Sequence, residues 1–159
     1  MGRDAQRSED GRYVVVDGRR WRASDPSVPE QLRVELVAEL MAARRLVRTD
    51  PATARPRVHD AKVALGERGE PWWEEPTEAG RRARVAAVIR TLLHHRDGTV
   101  CPSEAARVVG GPAWRDLMPL VRDVAWGLAD EEVAEVRQRG TRVTDRAVRG
   151  PVRIARGPR

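Results

Sequence analysis

A chain of 159 residues with 40% hydrophobic and 34% charged side chains has room for one ordinary domain or two very small ones, and is too apolar for a disordered polymer. No stretch approaches the roughly 18 apolar residues of a membrane helix, which argues against a helical transporter or channel. The lone cysteine, Cys101, excludes an intrachain disulfide and a cysteine-based zinc cluster, and a cytoplasmic location is expected.

The formal charge of +6 is unevenly placed. Residues 1–76 carry 14 charges of each sign and residues 77–132 carry eight of each. Residues 133–159 carry eight arginines against Glu135 and Asp145, so the whole excess lies there. Only Lys62 among the basic residues is lysine. A GC-rich coding bias accounts for most of that preference, and the affinity of arginine for phosphate follows from it.

Met1–Arg12 is polar and reads as a disordered tail. Tyr13-Val-Val-Val16, Asp17-Gly18 and Arg19-Arg-Trp-Arg22 form a hairpin pattern, because Asp-Gly supplies the positive φ angles of a type I′ turn. That register sets Val14 opposite Trp21, Val16 opposite Arg19 and Tyr13 opposite Arg22. A helix over about Glu30 to Arg48 follows, with Leu32, Leu36, Val37, Leu40, Met41 and Val47 at helical spacing. Asp50-Pro51 stops it, and a second helix is expected from Arg57 to Leu65, closed by Gly66. Pro71-Trp-Trp-Glu-Glu-Pro76 marks a boundary between a hairpin and two-helix module (13–76) and a second domain (77–159). The two tryptophans read as a packing plug in preference to a ligand-stacking platform.

Val85, Val88, Ile89, Leu92 and Leu93 give an amphipathic helix ending near His94-His95-Arg96. Thr99-Val-Cys101 is short enough for one strand, and Pro102-Ser-Glu104 opens a short helix through Val109. Gly110-Gly-Pro112 turns the chain. Pro119 belongs in a first turn, so the next helix is expected from Met118 to Ala129. Arg139-Gly140 is a second hairpin turn, and Val152 and Ile154 alternate at strand spacing. Helix, short strand, short helix, turn, helix and β-hairpin is the order of a winged helix-turn-helix. The expected class is α+β, mainly helical, with that unit at the C-terminus.

Thr99-Val-Cys-Pro-Ser-Glu-Ala-Ala-Arg107, Trp114-Arg115, Leu117-Met-Pro119 and Arg149-Gly-Pro-Val-Arg153 resemble the bacterial domain-of-unknown-function family 3253 over about Arg81 to Arg156. The resemblance implies a winged-helix-like fold and brings no catalytic residues with it. Arg19–Pro26, Glu35–Arg45 and Lys62–Gly69 are similar to a small uncharacterised module of high-GC bacteria, which implies no function.

Catalytic patterns are weak. Cys101 with His94 or His95 is a conceivable dyad, but a small thiol beside Pro102 at a helix start is the plainer reading. His94 and His95 are adjacent on a helix and point about 100° apart, which is poor geometry for one metal. Gly66-Glu-Arg-Gly69 lacks the residues of a phosphate loop. No enzyme, cofactor or metal site is expected.

A basic wing is the stronger signal. Arg137, Arg139, Arg142, Arg149 and Arg153 form a candidate phosphate footprint. Arg115 and Arg122 share a face of the candidate recognition segment only if one helix runs through Pro119. That segment, Ala113–Glu132, carries those two arginines against five acids, which opposes contact with phosphate. Arg81-Arg-x-Arg84 sits where a helix dipole disfavours cations. That placement points either to an anionic partner or simply to arginine-rich coding. The expected function is non-enzymatic binding of nucleic acid, duplex DNA in the first instance. The alternative is a protein-interaction scaffold using the C-terminal unit and the N-terminal helix, with a dimer as one form. A membrane partner is not expected.

Overall fold

The computed structural model describes residues 5–159. Three strands open the chain: β1 (Gln6–Arg7), β2 (Tyr13–Val16) and β3 (Arg19–Arg22). The hairpin has the expected register, with Val14 opposite Trp21, Val16 opposite Arg19 and Tyr13 opposite Arg22. Asp17 and Gly18 both have positive φ, at 51° and 76°. One correction concerns the tail. Gln6 and Arg7 pair with Val15 and Val14, so part of the stretch read as disordered is an edge strand. Residues 1–4 lie outside the described residues.

Helix α1 (Glu30–Leu46) matches its expected span. Helix α2 runs from Pro51 to Leu65 and so begins six residues before the expected Arg57. The Asp50 side chain caps it by accepting from Thr53 N at 3.2 Å, and Pro51 occupies the first helical position. This start outweighs Pro56 inside the helix, whose missing N–H costs on the order of 3 kcal/mol. Gly66 ends α2 at φ 82°.

Helix α3 (Glu78–His95) is capped by Thr77, which accepts from Gly80 N. Val100 makes a single antiparallel bridge to Ile154. Helix α4 (Pro102–Gly110), a 3₁₀ segment (Gly111–Leu117) and α5 (Met118–Asp130) follow. Strands β4 (Ala134–Gln138), β5 (Thr141–Arg142) and β6 (Arg153–Arg156) close the chain. The second sheet has the order β5-β4-β6, and Val100 lies on the free side of β6. The fold is α+β and mainly helical, and its C-terminal elements follow the expected order.

Leu32, Leu36 and Leu40 of α1, Leu65 of α2, Val88, Ile89 and Leu92 of α3, Val121 of α5, and Val136 and Ile154 of the sheet belong to one contiguous buried cluster. Residues 71–76 connect the two halves, yet the core runs through both. The tryptophans at the connector are half-buried. Trp72 Nε1 donates to the Ala23 carbonyl at 3.0 Å, and Trp73 meets Trp72 and Tyr13 edge-on. Among the described residues, no helix is long and apolar enough to cross a membrane.

Candidate nucleic-acid interface

The wing begins as a tight hairpin. Arg139 and Gly140 adopt φ 52° and 79°, which places Arg139 at the tip. Gln138 pairs with Thr141, and Arg137 with Arg142. The chain then loops from Val143 to Val152 before re-entering the sheet as β6. Two side chains tether this loop. Gln138 Nε2 donates to the Arg149 carbonyl at 2.6 Å. The Arg122 guanidinium, from α5, donates to the Val148 and Gly150 carbonyls at 3.2 Å each.

The candidate arginines fall into distinct groups. Arg139, Arg142 and Arg149 are exposed, and among the described residues their side chains make no ion pair, hydrogen bond or ring contact. Arg137 is paired with Glu135 at 3.0 Å. Arg153 donates to the Thr99 hydroxyl at 2.9 Å, which anchors β6 without neutralising its charge. Arg156 likewise donates to neutral acceptors, the Leu93 and Arg96 carbonyls. Arg146 is bonded to Asp130, and that carboxylate draws the guanidinium pKa above its usual value. Two of the eight arginines after residue 132 therefore have a carboxylate partner among the described residues.

Arg115 and Arg122 are not presented together on one helix. The chain changes from 3₁₀ to α between Leu117 and Met118, and Ala113 is non-helical. Arg115 is exposed at the end of the 3₁₀ segment, stacked 4.4 Å from the Trp114 ring centroid. Arg122 is half-buried and engaged with the wing loop. Arg122 holds the 143–152 loop, whereas Arg115 meets only the Trp114 ring among the described residues.

The acidic character of α5 is partly cancelled from outside. Asp123 pairs with Arg82 of α3 at 2.6 Å, and Asp130 with Arg146. Asp116, Glu131 and Glu132 stay exposed. The basic patch at the start of α3 also acquires partners within the chain: Arg81 meets Glu75, Arg82 meets Glu78 and Asp123, and Arg84 meets Asp25. Its place at a helix N-terminus thus reflects intramolecular pairing. Asp123 and Asp25 are 41 and 59 residues distant from their arginines, too far for a local reading to find.

Cys101 lies at the start of α4, and its thiol contacts the Ser103 hydroxyl at 3.0 Å. Glu104 reaches back to accept from Cys101 N at 2.8 Å. His95 Nε2 approaches Glu35 of α1 at 3.9 Å. Neither histidine contacts the thiol among the described residues, so the geometry assembles no dyad. No cluster of three or more potential metal ligands occurs among them.

The match to known proteins falls on this half of the chain. Residues 82–157 match the family described as protein of unknown function (DUF3253). That match covers just under half of the chain, at its C-terminal end. The matched region runs from the second turn of α3 to the end of β6, and so includes α4, α5 and the strands β4, β5 and β6. No curated protein matches the chain.

Proposed function

We propose that the DUF3253 half is a winged helix-turn-helix that binds nucleic acid, duplex DNA in the first instance, without catalysis. The carrying observation is the group Arg139, Arg142 and Arg149, exposed on one tethered ribbon with no counter-charge among the described residues. Cations in that state contact phosphate at little desolvation cost and release counterions on binding. The sheet order supports the reading, because Val100, β6 and β4 stand as the strands of a winged helix do. The pairs Arg82–Asp123 and Arg146–Asp130 lower the repulsion between α5 and a phosphate backbone. Arg139, Arg142, Arg149 and Arg115 supply the contacts, while Arg122, Arg137 and Arg153 hold the ribbon. Fluorescence anisotropy with a mixed-sequence duplex tests this. Binding is expected at low salt, with a steep loss as salt rises. Salt-independent behaviour or no binding would overturn it.

A second reading, a protein-interaction scaffold, is favoured by one observation. Val34 and Met41, seven residues apart on α1, are 58% and 38% exposed. They lie on one helix face and offer an apolar surface to a protein partner or a second copy of the chain.

A further inference from the structure

The N-terminal sheet lies over α1 and α2, and between them is a concavity of about 390 Å³. Its apolar floor is Val14, Val16 and Ala23. Arg7, Val14 and Trp21 stand in register across the three strands, on one sheet face. Three cations line the same space: Arg7 from β1, Arg44 from α1 and Lys62 from α2.

None of these three makes an ion pair among the described residues. Arg22 also borders the space, but it belongs to the opposite sheet face, where it donates to the Gly69 carbonyl at 2.7 Å and lies 5.7 Å from the Trp73 ring centroid. Lys62 rests 5.3 Å from the Trp21 ring centroid, whose other close cation is Arg19 at 4.1 Å. The one carboxylate lining the space is Glu67. Its Oε2 is sealed from solvent without a hydrogen-bond partner, and burial raises its pKa, which weakens it as a counter-ion. Desolvation and then the nearby Arg44 and Arg68 charges lower the Lys62 pKa. Like charges from three separate elements converge here, and Glu67 is the one carboxylate among the described lining residues. The larger cavity between the halves, about 470 Å³, is different. There Arg84 pairs with Asp25, and Arg90 with Asp60.

We propose that the concavity bounded by Arg7, Arg44 and Lys62 is a binding site for a phosphate group, either on a small phosphorylated molecule or in a nucleic-acid backbone. Two guanidiniums and an ammonium suit a multivalent oxyanion, because guanidinium forks pair with phosphate oxygens. The volume lies in the ordinary range for small-molecule sites, roughly 300–1,000 Å³. Cation-flanked Trp21 lies at the rim, 42% exposed, and reports occupancy. Its faces are already taken by Arg19 and Lys62, so recognition rests on charge more than on ring stacking.

The test is titration of the intact chain with inorganic pyrophosphate, followed by calorimetry and by the Trp21 indole resonance, with sulfate at matched ionic strength as the control. Saturable pyrophosphate binding is expected to shift Trp21 and leave Trp126 unmoved. The double variant Arg44→Gln, Lys62→Gln should weaken binding by about 10- to 100-fold, the value of one to two lost charged contacts. Arg139→Ala should leave it unchanged, which separates this site from the wing. Competition by a short single strand in the Arg139→Ala, Arg142→Ala background would assign the phosphate to a nucleic-acid backbone. Absence of competition would assign it to a small molecule, and either result supports the site. No saturable binding by the intact chain, an equal response to sulfate, or undiminished binding by the double variant would overturn it. Should the double variant misfold, the position of the indole shift in the intact chain still decides.

Discussion

Arg96 and Glu35 form a two-pronged ion pair across 61 residues of sequence, with Nε to Oε1 at 2.8 Å and Nη2 to Oε2 at 2.7 Å. The same guanidinium grips Glu104 at 2.6 Å and donates to the Thr99 carbonyl. One side chain at the end of α3 therefore fastens α1 of the N-terminal half to the start of α4, beside the strand segment that receives β6. Its hydrogen bond to Arg96 is the largest influence holding the Glu35 carboxyl below its usual pKa.

Glu35→Gln should destabilise the chain by about 1–2 kcal/mol, the scale of a charge-assisted hydrogen bond at a partly exposed site. Since the folded pKa of Glu35 is depressed, its stabilisation is complete above the unfolded value near 4.5 and is lost as pH falls through the folded value. The stability gap between wild type and Glu35→Gln should therefore be constant near neutrality and shrink below about pH 4.5. Urea unfolding across that range measures it, and a gap that widened in acid would contradict the assignment.

Arg122→Ala should loosen the wing without unfolding the core. The substitution removes the donors to Val148 and Gly150, a loss of about 1–2 kcal/mol at a half-buried position. Proteolytic cleavage within 143–152 should accelerate while the core amides of α3 keep their exchange protection. Unchanged cleavage would show that Gln138 and the Arg146–Asp130 pair suffice to hold the loop.

Gly66→Ala should cost about 1–3 kcal/mol. Gly66 has φ 82°, and an added Cβ would lie 3.1 Å from both Asp25 Cβ and Trp72 Cδ1. Thermal unfolding reads the loss. A neutral result would mean that the Trp72 plug shifts freely.

Local chemistry made most of the elements legible. Asp17-Gly18 and Arg139-Gly140 each dictated a hairpin, and the register around Val14 and Trp21 follows from loop length alone. Apolar spacing located α1, α3 and α5 to within a residue or two. Two local errors have local causes. The Asp50 cap with Pro51 started α2 six residues before the expected Arg57, and Gln6-Arg7 lacked any apolar pattern because it is an exposed edge strand. The long-range relationships were not legible. Nothing near Arg122 signals that it binds the Val148 carbonyl, and nothing near Arg82 points to Asp123. Which arginines stay free was therefore not readable, although the excess charge of the last 27 residues was. The cation-lined concavity was hidden for the same reason, since its three cations come from three elements.

The wing arginines should act as a set of phosphate contacts. Arg139→Ala and Arg142→Ala should each weaken duplex binding regardless of sequence and reduce the slope of log affinity against log salt by about 1. Arg137→Ala, which removes an arginine already paired with Glu135, should change the slope less. A base-specific loss in any of the three would point to direct readout in place of backbone contact.

The central claim is that Arg139, Arg142 and Arg149 meet a polyanion. It is tested most directly by fluorescence anisotropy of one mixed-sequence duplex, titrated with wild type and the triple alanine variant at about 50 and 200 mM salt. The account predicts tight binding by wild type at the lower salt, a steep loss at the higher, and a triple variant with a slope lower by about 3. Equal affinity and slope for the two proteins would contradict it.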